Sequence, residues 1–212
     1  MNNSNTALAE YEVSRISLNY LHARRIVEVI IILLLSPLIF LAMGSIALCI
    51  RLFDKGPVFF IQNRPGKNGR IFRMYKFRTM VVNADTSTLT ALNDKRITKT
   101  GRVLRKYKLD ELPQCINILK GEMSFIGPRP VPENFYSLYR QNIPSYDLRH
   151  LVLPGITGLA QINQGYTATI EGEKEKFDID LQYIRTIGLA TDTKIVWQTV
   201  KFFFKTVCVS SS

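Results

Sequence analysis

Histidine and cysteine are scarce in this chain of 212 residues, and each scarcity closes off a class of chemistry. Its only histidines, His22 and His150, are isolated from one another and suggest neither a metal site nor a triad, so each is expected to be structural or at the surface. The three cysteines, Cys49, Cys115 and Cys208, are widely spaced, without the C-x-x-C or Cys/His clustering of a structural metal. A disulfide-stapled secreted domain is excluded on the same ground, which leaves a reduced, cytosol-facing compartment. No Ser, Cys and His pattern of a nucleophilic triad is present, nor a glycine-rich loop of the Walker or dinucleotide type. Internal repeats and low-complexity tracts are missing as well. The length suits one modest domain, and a hydrophobic content of 46% excludes a disordered basic tail. What the chain has in excess is positive charge, with 28 Lys and Arg against 17 Asp and Glu, a net +11. An imbalance of that size points to a polyanionic partner: nucleic acid, an anionic membrane surface or phosphorylated substrates.

One apolar block stands out. Ile26 to Ile50 is 25 residues long with Glu28 as its only charge, long enough to enter a bilayer, and it lacks the small-residue cleavage site of a signal peptide. Arg24 and Arg25 precede it while Arg51 and Lys55 follow it, so the positive-inside rule places both ends in the cytoplasm. Ser36 and Pro37 sit at its centre, where proline removes a helical donor and bends the helix. Two readings fit: a helix that enters, turns at Ser36-Pro37 and returns to the same face, or an ordinary spanning helix that tolerates its proline. Met1 to Tyr20 reads as a polar, loosely ordered tail or an interfacial extension.

The charge is local. Between Arg64 and Lys120 lie fourteen Lys and Arg against four acidic residues, which accounts for ten of the eleven net charges. Strands are expected at Val58 to Gln62 and Ile71 to Arg78, separated by the turn Pro65-Gly66-Lys67-Asn68-Gly69. On the second strand Lys76 and Arg78 would share a face and converge on one anion, or simply form a solvated basic face. Val81 to Thr100 reads as a loop or short helix ending at Gly101, followed by helical spacing over Arg102 to Tyr107. Asp110 to Gly121 reads as a helix with Asp110 at the N-cap, Pro113 in the first turn and Gly121 at the C-cap.

An acidic pair at a helix start inside a cationic stretch is unusual. Neighbouring Arg102, Arg105, Lys106 and Lys108 would keep Asp110 ionised, available to attack phosphorus, while a second carboxylate could hold the Mg²⁺ that a nucleotide diphosphate brings. The plainer alternative is that Asp110 only caps and Glu111 only solvates the first turn. Farther on, Gly127-Pro128-Arg129-Pro130 places an arginine in a rigid turn suited to a fixed anion fork, and Pro154-Gly155-Ile156-Thr157-Gly158 is a second rigid turn. Ile195 to Lys205 is aromatic and basic, fit either for a membrane interface or for packing as a terminal helix.

Five segments in order carry a resemblance: Gly56 to Gly66, Tyr75-Lys76-Phe77-Arg78-Thr79-Met80, Leu109 to Gln114, Gly121 to Pro130 and Pro154 to Gly158. Together they resemble the bacterial sugar transferases, in particular the small monotopic polyprenol-phosphate phosphoglycosyl transferases, over about Arg24 to Val207. The resemblance implies an α+β, mainly helical fold: a re-entrant membrane helix, a small cytosolic α/β domain and interfacial amphipathic helices. It divides the chain into a polar extension (1–23), a re-entrant helix broken at Ser36-Pro37 (24–51), a cytosolic catalytic domain (52–207) and a tail (208–212). It implies transfer of a sugar 1-phosphate from a UDP-sugar to undecaprenyl phosphate at the cytoplasmic face of the inner membrane, opening surface-glycan synthesis. Asp110 would be the nucleophile and Glu111 its catalytic neighbour and Mg²⁺ ligand, joined at the metal by Asp192. Arg105 and Arg129, and more weakly Lys76, would bind phosphate. The partners the resemblance implies are the UDP-sugar, undecaprenyl phosphate and inner membrane lipids, with room for a homodimer and no nucleic acid. Relatives carry a Gly-Arg pair where this chain has Gln164-Gly165-Tyr166, a departure that bears on sugar identity. Two other classes are alternatives: a non-enzymatic membrane protein whose basic patch binds anionic lipid or nucleic acid, and a hydrolase of nucleotide sugars that uses water in place of the lipid.

Overall fold

The computed structural model describes residues 18–85, 94–164 and 169–209, with side chains up to 204. Helix α1, Leu18–Cys49, begins six residues before the expected start and is followed by a wide helical turn, Ile50–Asp54. The extension upstream of Leu18, the Gly165-Tyr166 part of the loop and the last three residues of the tail lie outside the described residues.

The apolar run predicts α1, and its exposure shows what it is for. Only Glu28 and Ile32 are buried, while Ile30, Leu34, Leu38, Phe40 and Leu41 face outward. A helix this apolar with so narrow a buried stripe needs a nonpolar surrounding. The helix does not end at Ser36-Pro37. Pro37 deprives the Leu33 carbonyl of its helical donor, and the Ser36 hydroxyl donates to that same carbonyl at 2.8 Å, so the helix continues through the proline.

Both ends of α1 fasten to one body. Near its start, Glu28 accepts from the Ser124 hydroxyl and from the Phe125 amide at 3.0 Å, and Arg25 donates to the Leu119 carbonyl at 3.1 Å. Beyond its far end, Asp54 accepts from Thr98 at 2.9 Å and Thr100 at 3.1 Å. Ile32 and Ile39 pack with Phe72, Met74, Ile118 and Met123, whereas Met43, Ile46 and Ile50 pack with Phe77 and Leu104.

Strands β1 (Phe59–Pro65) and β2 (Ile71–Phe77) form an antiparallel hairpin in register Phe59↔Phe77 to Pro65↔Ile71. Asn68 supplies the left-handed residue of its turn. Helix α2 (Lys99–Lys106) starts at Thr98, whose side chain accepts from the Gly101 amide, so Gly101 lies inside the helix and does not end the loop as expected. A Cβ there would overlap the Thr79 carbonyl, which explains the glycine by close approach. Helix α3 (Gln114–Leu119) ends before Gly121, which takes the left-handed conformation expected of a helix stop. Asn117, fully buried, accepts from the Tyr75 amide at 3.1 Å and donates to the Arg73 carbonyl at 2.8 Å, knitting α3 to β2.

Strands β3 (Ser124–Ile126) and β4 (Gly155–Thr157) pair in parallel and so bring the two rigid proline-glycine motifs together. Helices α4 (Glu133–Asn142), α5 (Leu159–Asn163), α6 (Ile170–Arg185) and α7 (Leu189–Val209) complete a mainly helical body with small sheets. Tyr139, Ile143, Tyr146, Leu148 and Phe177 form one core under α4 and α6, and Ile126, Val152, Tyr183, Ile184 and Ile195 form another under α7. In the aromatic C-terminal run Ile195 packs in the core, as expected of a terminal helix, while Trp197, Phe202 and Phe204 are exposed.

Gly127 and Gly155 meet where β3 and β4 pair. A Cβ on Gly155 would overlap the Gly127 amide nitrogen, and one on Gly127 would overlap the Leu153 carbonyl. Gly155→Ala is therefore expected to lower stability by about 3 kcal/mol, the upper end of the usual overpacking cost. Thermal or chemical denaturation in a membrane mimetic measures it, and an unchanged midpoint would contradict this account of the motif.

Candidate active site

Asp110 and Glu111 lie on a single 3₁₀ turn, Leu109–Glu111, wedged between α2 and α3. Lys108, in the left-handed region at φ 56°, reverses the chain out of α2, and Pro113 starts α3. The expected N-cap is not formed. Helix α3 begins at Gln114 without a side-chain cap, and Asp110 Oδ1 is buried with no hydrogen-bond partner. The reason is local: the 3₁₀ turn and Pro113 intervene between the carboxylate and the first free amides of α3. This removes the plain capping role for Asp110.

Glu111 is held from two sides. Lys76 Nζ lies 3.1 Å from Oε1, and Arg129 Nη2 lies 2.5 Å from the same oxygen with Nη1 3.4 Å from Oε2. Lys76 projects from the face of β2 that carries the buried Phe72 and Met74, which directs it inward, while Arg129 arrives on the rigid turn after β3. The Arg129 backbone is itself fixed, because Arg149 donates to its carbonyl at 3.0 Å. Arg149 is clamped between Glu173 at 2.9 Å and Asp180 at 2.7 Å and touches the Tyr146 hydroxyl.

The adjacent carboxylates therefore sit in opposite electrostatic states. Burial by itself would raise Glu111, but Arg129 and Lys76 overcome it and hold the carboxyl well below its usual range. Burial raises Asp110, and Lys76, Lys108 and Arg105 offset only part of that, so the neighbouring cations do not dominate as expected. Lys76 is pulled down to about 8 by burial against the attraction of Glu111. Paired groups driven apart in this way are a mark of acid-base or nucleophilic sites. His150 is no candidate for such work. Buried against Tyr136 at 5.1 Å between ring centres, it is lowered to about 4 by burial and by Arg149.

Of the residues singled out in the sequence, Asp110, Glu111, Lys76 and Arg129 come together. Arg105 borders them, its Nε donating to the Thr79 hydroxyl at 2.8 Å. Arg78 does not converge with Lys76, because it turns away to donate to the Asp54 and Lys55 carbonyls at 3.1 and 2.8 Å. Asp192 is not joined to Glu111 either. Its carboxylate accepts from Arg24 at 2.9 Å, Tyr20 at 2.6 Å and Tyr183 at 3.1 Å, fastening α7 to the start of α1. Gln164, at the departing loop, donates to Glu175 at 2.6 Å. Sequence reasoning missed Arg149, a basic residue five positions ahead of the Pro154-Gly155 turn.

A magnesium ion needs oxygen ligands but often takes only one or two carboxylates, with water and substrate phosphates completing the shell. Asp110, with a buried oxygen lacking any partner, fits that mode. The pair Glu111 and Asp192 does not fit it, since both carboxylates are occupied by cations in separate places. Among the described residues no three His, Cys, Asp or Glu side chains gather as a metal cluster.

Residues 19–206 match the protein family described as bacterial sugar transferase. A UDP-N-acetylgalactosamine-undecaprenyl-phosphate N-acetylgalactosaminephosphotransferase of Aeromonas hydrophila is 40% identical over 184 residues, covering 86% of this chain and 44% of that protein. The UDP-glucose:undecaprenyl-phosphate glucose-1-phosphate transferase of Escherichia coli strain K12 is 45% identical over 179 residues, 82% of this chain and 38% of its own length. An exopolysaccharide production protein of Rhizobium leguminosarum bv. phaseoli is 39% identical over 163 residues, 73% of this chain and 82% of that protein. The chain thus spans about two fifths of the length of the first two relatives.

Opposite effects on stability follow from the two carboxylates. Asp110→Asn removes a buried charge whose Oδ1 has no hydrogen-bond partner and is expected to leave the melting temperature unchanged or raise it. Glu111→Gln leaves Lys76 and Arg129 uncompensated and is expected to cost about 3–5 kcal/mol. Melting both variants at neutral pH checks the assignment, which fails if the two shift in the same direction.

Proposed function

The chain belongs to the bacterial sugar transferase family, and from that footing we propose that it is a phosphoglycosyl transferase moving a sugar 1-phosphate from a UDP-sugar to undecaprenyl phosphate. The observation that carries this reading is the split pair: a buried carboxylate with an unpartnered oxygen on Asp110 beside a cation-locked one on Glu111.

In this reading an Asp110 oxygen attacks the phosphorus that bears the sugar. The bond from that phosphorus to the bridging oxygen breaks, and UMP leaves with that oxygen. Asp110 then carries the sugar phosphate as an acyl phosphate until an oxygen of undecaprenyl phosphate attacks the same phosphorus. The aspartyl bond breaks, the carboxylate is restored, and the product is the lipid diphosphate sugar; no water enters. Glu111 holds Lys76 and Arg129 in place, with Arg105 at the border, as cations for the phosphate oxygens. Mg²⁺ is the proposed cofactor, held by the Asp110 carboxylate, and when bound it would neutralise diphosphate charge.

In this reading the reaction runs at the cytoplasmic face of the inner membrane, with α1 re-entering that face. Two things support this: the cationic flanks on both sides of the helix, and the anchoring of both its ends to one folded body.

The direct test is transfer of radiolabel from UDP-glucose and UDP-N-acetylgalactosamine to undecaprenyl phosphate in nanodiscs. Asp110→Asn is expected to abolish it, by at least about 10³-fold as for loss of other covalent nucleophiles, and retained transfer would remove Asp110 as nucleophile. Chelation with EDTA is expected to stop the reaction, and added Mg²⁺ to restore it.

The pH dependence should be bell-shaped. Asp110 must be ionised to attack, so activity falls on the acid side as it is protonated, and in the metal-free protein burial raises its pKa from the ordinary value. Lys76 is cationic below about 8 and neutral above, so phosphate binding weakens as pH rises through that value. Lys76→Arg is expected to carry the alkaline limb upward, and an unmoved limb would assign it to another group.

A further inference from the structure

Arg64 ends the hairpin strand β1 beside the site, yet it pairs with no carboxylate. Its Nε and Nη2 donate to the Gln62 side-chain oxygen at 3.2 and 2.7 Å, and its Nη1 donates to the Pro130 carbonyl. Both acceptors are neutral. Pro130 directly follows Arg129, so Arg64 is tied to the same rigid turn that delivers Arg129 to Glu111. Glu111 is already engaged by Lys76 and Arg129, and these are the charges Arg64 has around it.

A guanidinium has five N–H donors, and these bonds occupy three. One N–H on each terminal nitrogen is left over, donors of the kind with which arginine binds phosphate oxygens. Gln62 fixes the plane of the group through two bonds to one oxygen, so little orientation remains to be lost on binding. The charge is also strained as it stands. Burial and the neighbouring Arg129 lower its pKa to about 9 despite the attraction of Glu111. A cation so placed, with neutral partners and like charges beside it, is stabilised by an incoming anion more than by anything in the free protein.

We propose that Arg64 is a phosphate-binding residue of this site, its two spare N–H groups receiving oxygens of a phosphate ester, with Gln62 positioning the fork. This rests on the transferase reading for the identity of the esters, of which there are two sources: the diphosphate of the donor and the phosphate of the lipid acceptor.

The test uses the full chain in nanodiscs. Binding of inorganic pyrophosphate is measured by calorimetry, and binding of undecaprenyl phosphate by its effect on melting when it is included in the disc. Arg64→Gln is expected to weaken at least one of the two by tenfold or more, and the arm affected identifies the source. Arg64→Lys, which keeps the charge but not the fork, should fall between. Without ligand, Arg64→Gln should melt no lower than the parent, because an uncompensated cation has been removed. Unchanged affinity in both arms would overturn the proposal, as would a parent protein that binds neither probe. A variant that melts early and loses both affinities would make Arg64 a structural group and overturn it too. Label transfer by the parent, followed separately, keeps the two readings apart. Transfer with unaltered binding in Arg64→Gln removes Arg64 alone; lost pyrophosphate affinity in a protein without transfer removes the transferase reading and leaves the anion site.

Discussion

The ionised carboxylate of Glu111 is the point on which the site is assembled. Lys76 comes from β2, Arg129 from the turn after β3 and Glu111 from the 3₁₀ turn between α2 and α3, so three segments distant in sequence meet at one pair of oxygens. Each partner would be costly to bury without the others. The backbone arrangement around them serves that meeting. Asn117 ties β2 to α3 through two main-chain bonds and so sets the separation of Lys76 from Glu111. Arg149 does the same for Arg129 by holding its carbonyl.

The membrane helix is continuous with this arrangement. Glu28, a charged residue in an otherwise apolar run, is bound at the start of β3 through Ser124 and Phe125, and the other end of β3 leads directly into Arg129. Its charge is matched by Arg24 and Arg25 at 4.0 and 3.8 Å, and Arg24 also reaches Asp192 on α7. Arginines that a hydropathy reading treats as topological signals are therefore also the fasteners between helix and domain. A displacement of α1 would be felt at the Arg129 turn through a single short strand.

The sequence made the elements legible where local chemistry decides them. The apolar run gave α1, the Pro65 to Gly69 cluster gave the hairpin turn, and Gly121 gave the stop of α3, all within a few residues. The acidic pair and three of its cationic neighbours were also visible. What stayed hidden was set by tertiary geometry. Asp110 looks like a helix cap because Asp, Pro and an apolar stripe follow in the right order, but the 3₁₀ turn takes it out of reach of the amides. Arg78 sits two residues from Lys76 on a strand and still diverges, since the Asp54 and Lys55 carbonyls left by the turn after α1 claim it. Asp192 carries the sequence context of a site residue, and only the folded chain shows its oxygens taken by Arg24, Tyr20 and Tyr183.

The excess of positive charge divides in a way that composition cannot foresee. Arg78 spends donors on the Asp54 and Lys55 carbonyls, whereas Arg25 and Arg96 each divide theirs between a carbonyl and a neighbouring acid. Arg149 neutralises two buried carboxylates and acts on the site only through the Arg129 carbonyl. Lys76 and Arg129, by contrast, share the Glu111 carboxylate, and among the described residues Arg64 is paired with none, so this corner gathers cations around one acidic group. In the transferase reading, that local surplus, rather than the net +11 of the chain, is the quantity that would select a phosphorylated ligand. It also explains why an unpartnered carboxylate oxygen can persist beside it. Asp110 is close enough for Lys76 to favour its charge, while its Oδ1 makes no hydrogen bond.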